Sequence, residues 1–86
     1  MLKIVETIDD DKNKIYFIKH KDFIMDCSIA SQLDIELEKY KKILKKFGAF
    51  LSSSDGQYYF YEKENCQKAL EYLEDMYIIV MKLKGN

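Results

Sequence analysis

From Cys27 to Phe47 the apolar residues fall at Ile29, Leu33, Leu37, Tyr40, Leu44 and Phe47, in steps of four and three. That spacing lays one apolar stripe along a helix for about five turns. A helix with a single apolar face must cover another surface, so the stripe limits the fold more than any other feature. Asp26 or Ser28 is placed to cap its start by accepting from free amides. Glu36 and Glu38 precede Lys41, Lys42, Lys45 and Lys46, the order that the helix dipole favours. Gly48 suits the left-handed position that closes a helix. A second helix is expected from about Lys63 to Asp75, with Cys66, Ala69, Leu70 and Leu73 on one side.

The flanking segments read as strands. Leu2 to Ile8 is mostly apolar or β-branched, and Asp9-Asp10-Asp11-Lys12-Asn13 is a polar turn. Ile15 to Ile18 is apolar on both faces, which suits a covered strand. Phe23-Ile24-Met25 continues that strand or returns as a short third one. Ala49 to Leu51 and Tyr58 to Tyr61 form a hairpin around Ser52-Ser53-Ser54-Asp55-Gly56. Tyr77 to Met81, apolar on both sides, is expected as a strand inside a sheet.

These elements predict a single α+β domain over residues 1–86. The economical arrangement is a ferredoxin-like βαββαβ fold with an extra N-terminal strand, both helices lying on one face of a mostly antiparallel sheet. A competing reading breaks the long helix into a helix-turn-helix. Ala30 would then sit where two helices touch, Leu33 would close the first, and Asp34 would take the turn. Ile35, Tyr40 and Ile43 would bury the second, and the hairpin at 49–61 would be a wing. Against this reading stand Asp34 where Gly is usual, and Glu36 and Glu38 where a recognition helix would meet phosphates.

Composition narrows the function. The chain has 86 residues and a net charge of −1, so there is no global attraction to nucleic acid or anionic lipid. All 14 basic residues are Lys. Without Arg, two-donor recognition of phosphate or guanine is missing, which disfavours phosphoryl transfer and sequence-reading DNA contacts. Neither a membrane-length apolar run nor a leader-like start is present, so a cytoplasmic chain is expected, with Cys27 and Cys66 reduced and buried.

Chemistry is sparse. Asp9-x-Asp11-x-Asn13 spells the opening of a calcium loop, but Lys14 and His20 stand where Gly and a bidentate Glu are needed. His20, the only histidine, has no evident orienting partner and is expected to be exposed at a strand break. Gly56 to Tyr61 is similar to the base-stacking strand of an RNA-recognition motif, without the basic residue before the Gly, and ordinary packing is expected. Zn spacing, a phosphate loop and paired catalytic carboxylates are all missing. The expectation is a non-enzymatic chain with no cofactor and no metal.

Tyr40-Lys-Lys-Ile-Leu-Lys-Lys-Phe-Gly-Ala-Phe, Tyr58-Tyr-Phe-Tyr and Ala69-Leu-Glu-Tyr-Leu together resemble small uncharacterised proteins of phages and prophages in low-GC bacteria. The resemblance covers about half the chain and implies a small factor that docks on a host or phage macromolecule, such as an inhibitor or regulator. On the residues themselves, the first expectation is a protein-binding module. It would use Tyr58, Tyr59 and Tyr61, with Lys41, Lys42 and Lys45 as a docking face for an acidic partner. A homodimer through a sheet edge or an exposed sheet face fits the same expectation. The alternative is a small winged-helix transcription regulator that binds DNA.

Overall fold

A computed structural model of the chain describes residues 2–83. The architecture is α+β, with three helices and two small antiparallel sheets. Strands β1 (Leu2–Ile8) and β2 (Lys14–His20) pair in register from Leu2 opposite His20 to Ile8 opposite Lys14. Their turn is held by Asp9, whose Oδ1 accepts from the amides of Asp11 and Asn13 at 3.0 and 2.8 Å. The carboxylate that begins the calcium-like motif is therefore committed to the turn. Phe23-Ile24-Met25 forms no strand; only a bridge between His20 and Phe23 remains.

The 27–47 segment is two helices, α1 (Asp26–Gln32) and α2 (Leu37–Lys46). The break has a packing cause. Leu33 and Ile35, two residues apart, cannot share one helical face, yet they are 1% and 9% exposed. Turning the chain at Asp34 (φ 59°) sends both inward. Asp is among the few residues that take this left-handed conformation at modest cost. The amides of Asp34 and Ile35 donate to the carbonyls of Ser31 and Ala30, which closes α1 as a Schellman turn. The N-terminus of α1 has no side-chain cap of its own, contrary to expectation for Asp26 or Ser28.

α2 closes in the same manner, with Gly48 at φ 98° and the amides of Gly48 and Ala49 bonded to Lys45 and Leu44. Here the residue matches the conformation. A Cβ on Gly48 would also come within 3.3 Å of the Asn65 side-chain amide, which can shift. Gly48→Ala is expected to lower unfolding free energy by about 1–2 kcal/mol, read from the urea midpoint at unchanged m-value.

Two-residue strands β3 (Phe50–Leu51) and β4 (Tyr58–Tyr59) form the second hairpin. It joins the first sheet through reciprocal bonds between Tyr16 and Phe60, at 2.8 and 2.7 Å. Helix α3 (Lys63–Leu83) then runs for 21 residues. The strand expected at Tyr77 to Met81 is therefore helix, and the βαββαβ order does not arise. The stripe of Cys66, Ala69, Leu70 and Leu73 continues through Met76 and Tyr77 onto the core, with no Gly or Pro between them to end it. Backbone bonds i to i−4 satisfy this segment without the neighbouring strands that a central strand would need. Two short hairpins also replace the single broad sheet.

The core gathers Leu2 and Ile18 from the first hairpin, Ile29, Ala30 and Leu33 from α1, and Tyr40 and Leu44 from α2. Phe60 and the inner side of α3 complete it. Tyr40 and Phe60 are its largest fully buried side chains.

Candidate nucleic-acid interface

α2 carries five lysines against one glutamate, Glu38. Burying Tyr40, Ile43 and Leu44, with Leu37 packed against the same core, turns the opposite side of α2 outward. Lys39, Lys42, Lys45 and Lys46 are exposed. Lys41 is half-buried and paired with Glu38 at 3.5 Å, an exposed contact of little energetic weight. Lys45 and Lys46 lean over the rings of Tyr58 and Tyr72, each 5.7 Å from the centroid. These contacts orient two of the cations along the helix flank. Of the cationic residues expected at the site, Lys42 and Lys45 share the exposed face and Lys41 lies at its edge. Lys39, which was not among the residues expected from the sequence, is exposed one turn from Lys42 and joins that face.

The hairpin 50–59 is held against α1 by Asp26. The Asp26 amide donates to Gln57 Oε1 at 2.7 Å, and the Tyr58 amide donates to Asp26 Oδ2 at 3.0 Å. Asp26 is 7% exposed. Burial raises its carboxyl to about 6, against the opposing pull of the Tyr58 amide and of Lys41. The folded chain therefore holds a proton that the unfolded chain has released. Stability from this group is fully present below the ordinary carboxyl pKa of about 4 and is lost as pH rises through about 6. Asp26→Asn keeps an acceptor for Tyr58 and removes the charge. It is expected to stabilise the fold by about 1–2 kcal/mol at pH 7.5, allowing for partial solvent screening, and to change it little at pH 4. Urea titrations of both proteins at the two pH values measure the difference.

At the hairpin tip Asp55 accepts from the Gln57 amide and from the Tyr59 hydroxyl. Burial pushes the Asp55 carboxyl up, but these hydrogen bonds outweigh it and leave it below the ordinary value. Burial, with the hydrogen bond to Asp55, raises the Tyr59 hydroxyl to about 12. The three expected tyrosines separate. Tyr58 is 5% exposed and belongs to the core, so it offers no contact surface. Tyr59 is half-buried, edge-on to Phe17 at 5.6 Å. Tyr61 is exposed and stacks on Phe50 at 4.2 Å. A groove of about 450 Å³ beside them runs between the two hairpin turns, past Asp9, Asp10 and Asp11.

Other expected features also moved. His20 is buried at the end of β2, and burial together with Lys21 lowers its pKa. Cys27 is exposed, whereas Cys66 is buried and its thiol is pushed up to about 12 by burial. Cys27 lies in the first turn of α1, whose buried positions are taken by Asp26, Ile29 and Ala30. Among the described residues no group of three or more His, Cys, Asp or Glu is placed to hold a metal ion, and no helix is long and apolar enough to cross a membrane.

A scan against protein-family models, a search of curated proteins and a search of solved structures each returned no match.

Proposed function

We propose that the chain is a small winged helix-turn-helix module that binds duplex nucleic acid through the lysine face of α2, with the hairpin 50–59 as its wing. The observation that carries this reading is the left-handed break at Asp34 followed by a helix whose outer positions hold Lys39, Lys42, Lys45 and Lys46. A short helix with cations spaced at three and four residues follows the phosphates bordering a major groove. The wing is fixed to α1 through Asp26, so both elements approach one duplex as a rigid pair. With no Arg to fork onto guanine and Glu38 at the first turn, binding rests on phosphates, and discrimination among sequences is modest. Fluorescence anisotropy with a labelled duplex at several salt concentrations tests it. The expected log–log slope is about −3, from three to four phosphate contacts. A slope near zero, or no binding at low salt, overturns the reading.

A second reading is a protein-binding module, in which Tyr59, Tyr61 and Phe50 beside the acidic hairpin turn take a basic segment of a partner. The Phe50–Tyr61 stack next to the 450 Å³ groove favours it. This is also where an inhibitor or regulator that docks on a protein would make contact. Loss of a basic peptide ligand on Tyr61→Ala, with duplex affinity unchanged, would identify this as the working surface.

A further inference from the structure

Among the described residues, Met76 and Tyr77 are the last of α3 that pack on the core; on its outer side Ile78, Ile79 and Leu83 are 51, 57 and 82% exposed. The segment from Met76 to Leu83 has Lys82 as its one charge. Beside Ile78 lies a groove of about 410 Å³, bordered by Leu2, Leu33, Tyr77 and His20 and, at its rim on α3, by Glu74 and Asp75. The buried His20 Nδ1 has no hydrogen-bond partner. Exposed aliphatic residues beside such a groove mark a contact surface.

The charges on this face identify the occupant. Opposite the core-facing stripe, Asp75, Ile78, Ile79 and Lys82 follow one another at helical spacing, and all four are exposed. The order is acid, two aliphatic residues, base, so reversing the helix end for end produces its complement. Laid antiparallel about a point between residues 78 and 79, two copies place Asp75 against the partner's Lys82 and Lys82 against the partner's Asp75. Ile78 then meets the partner's Ile79 at the centre. This is the self-complementarity that a two-fold contact requires. We propose that the last two turns of α3 form the interface of an antiparallel homodimer of this chain, Asp75 and Lys82 setting its register. The contact lies on a helix and uses no sheet edge. It stands independently of any nucleic-acid role, although a two-fold pair would also present two α2 helices to one duplex.

Light scattering on the full chain after size exclusion is expected to give twice the chain mass at about 100 μM, falling toward the monomer on dilution. Ile78→Glu with Ile79→Glu is expected to give monomer at every concentration, with an unchanged circular dichroism spectrum because both positions are exposed. Asp75→Lys alone and Lys82→Asp alone are each expected to weaken self-association at least tenfold, since each sets like charges face to face twice. An equimolar mixture of those two variants should regain the wild-type dimer. A wild-type chain that is monomeric throughout, a dimer indifferent to the double Ile variant, or a mixture that fails to reassociate overturns the proposal.

Discussion

Reversing the charge of Lys39 and Lys42 together, Lys39→Glu with Lys42→Glu, is expected to weaken duplex binding at least a hundredfold near physiological salt. Each change removes one phosphate contact and adds one repelled carboxylate, so four units of charge are lost at the contact face. The magnitude of the salt slope should also fall by about 2, one unit for each lysine. Both side chains are exposed, so the unfolding midpoint should move little. Lys41→Glu is the built-in contrast. It breaks a 3.5 Å pair with Glu38 at the edge of the face and should cost less affinity than Lys42→Glu. Anisotropy titrations of the three variants separate these outcomes. Equal losses for Lys41 and Lys42 would mean that the whole helix acts as a diffuse cation.

Tyr40→Ala is expected to cost about 3–5 kcal/mol, which for a chain of 86 residues is a large share of total stability. Tyr40 is fully buried in the core, and truncation leaves a cavity that its neighbours close only by shifting inward. Tyr40→Phe should move the other way, raising stability by about 1 kcal/mol. The Tyr40 hydroxyl is buried without a hydrogen-bond partner, so the native residue carries a desolvation cost that Phe does not. Burial, with Asp26 and Cys66 nearby, also pushes this hydroxyl's pKa up, so it remains protonated and its polarity brings no compensating charge. Urea unfolding of the two variants should therefore bracket the wild type. A destabilised Tyr40→Phe would show that the hydroxyl is hydrogen-bonded in solution.

Much of this arrangement could be read from residue order. The first hairpin follows from β-branched runs around an Asp-rich turn, the second from Asp55-Gly56, and the end of α2 from Gly48, because each depends on contacts within a few residues. The cation cluster was legible for the same reason: Lys is seldom buried, so the lysines of α2 had to lie away from its apolar stripe. Tyr58 was not legible as core. A run of four aromatic residues has no polar member to show which side faces inward, and that was settled by Asp26 drawing the Tyr58 amide toward α1.

The apolar stripe of 27–47 determined that this segment is mostly helical and that Ile29, Leu33, Tyr40 and Leu44 are buried. It did not determine that the helix breaks, because a continuous helix satisfies the stripe at Leu33 and Leu37 equally well. Only packing decided in favour of burying Ile35, which required Asp34 to turn. Likewise the run Tyr77 to Met81 specified apolarity without a period. Helix and strand differ there only in what lies alongside, and the body of this protein offers Tyr77 an apolar surface on which a helix packs. Local chemistry chose the turns, the caps and the charged face; the choice between alternatives that bury the same residues belonged to contacts far apart in the chain.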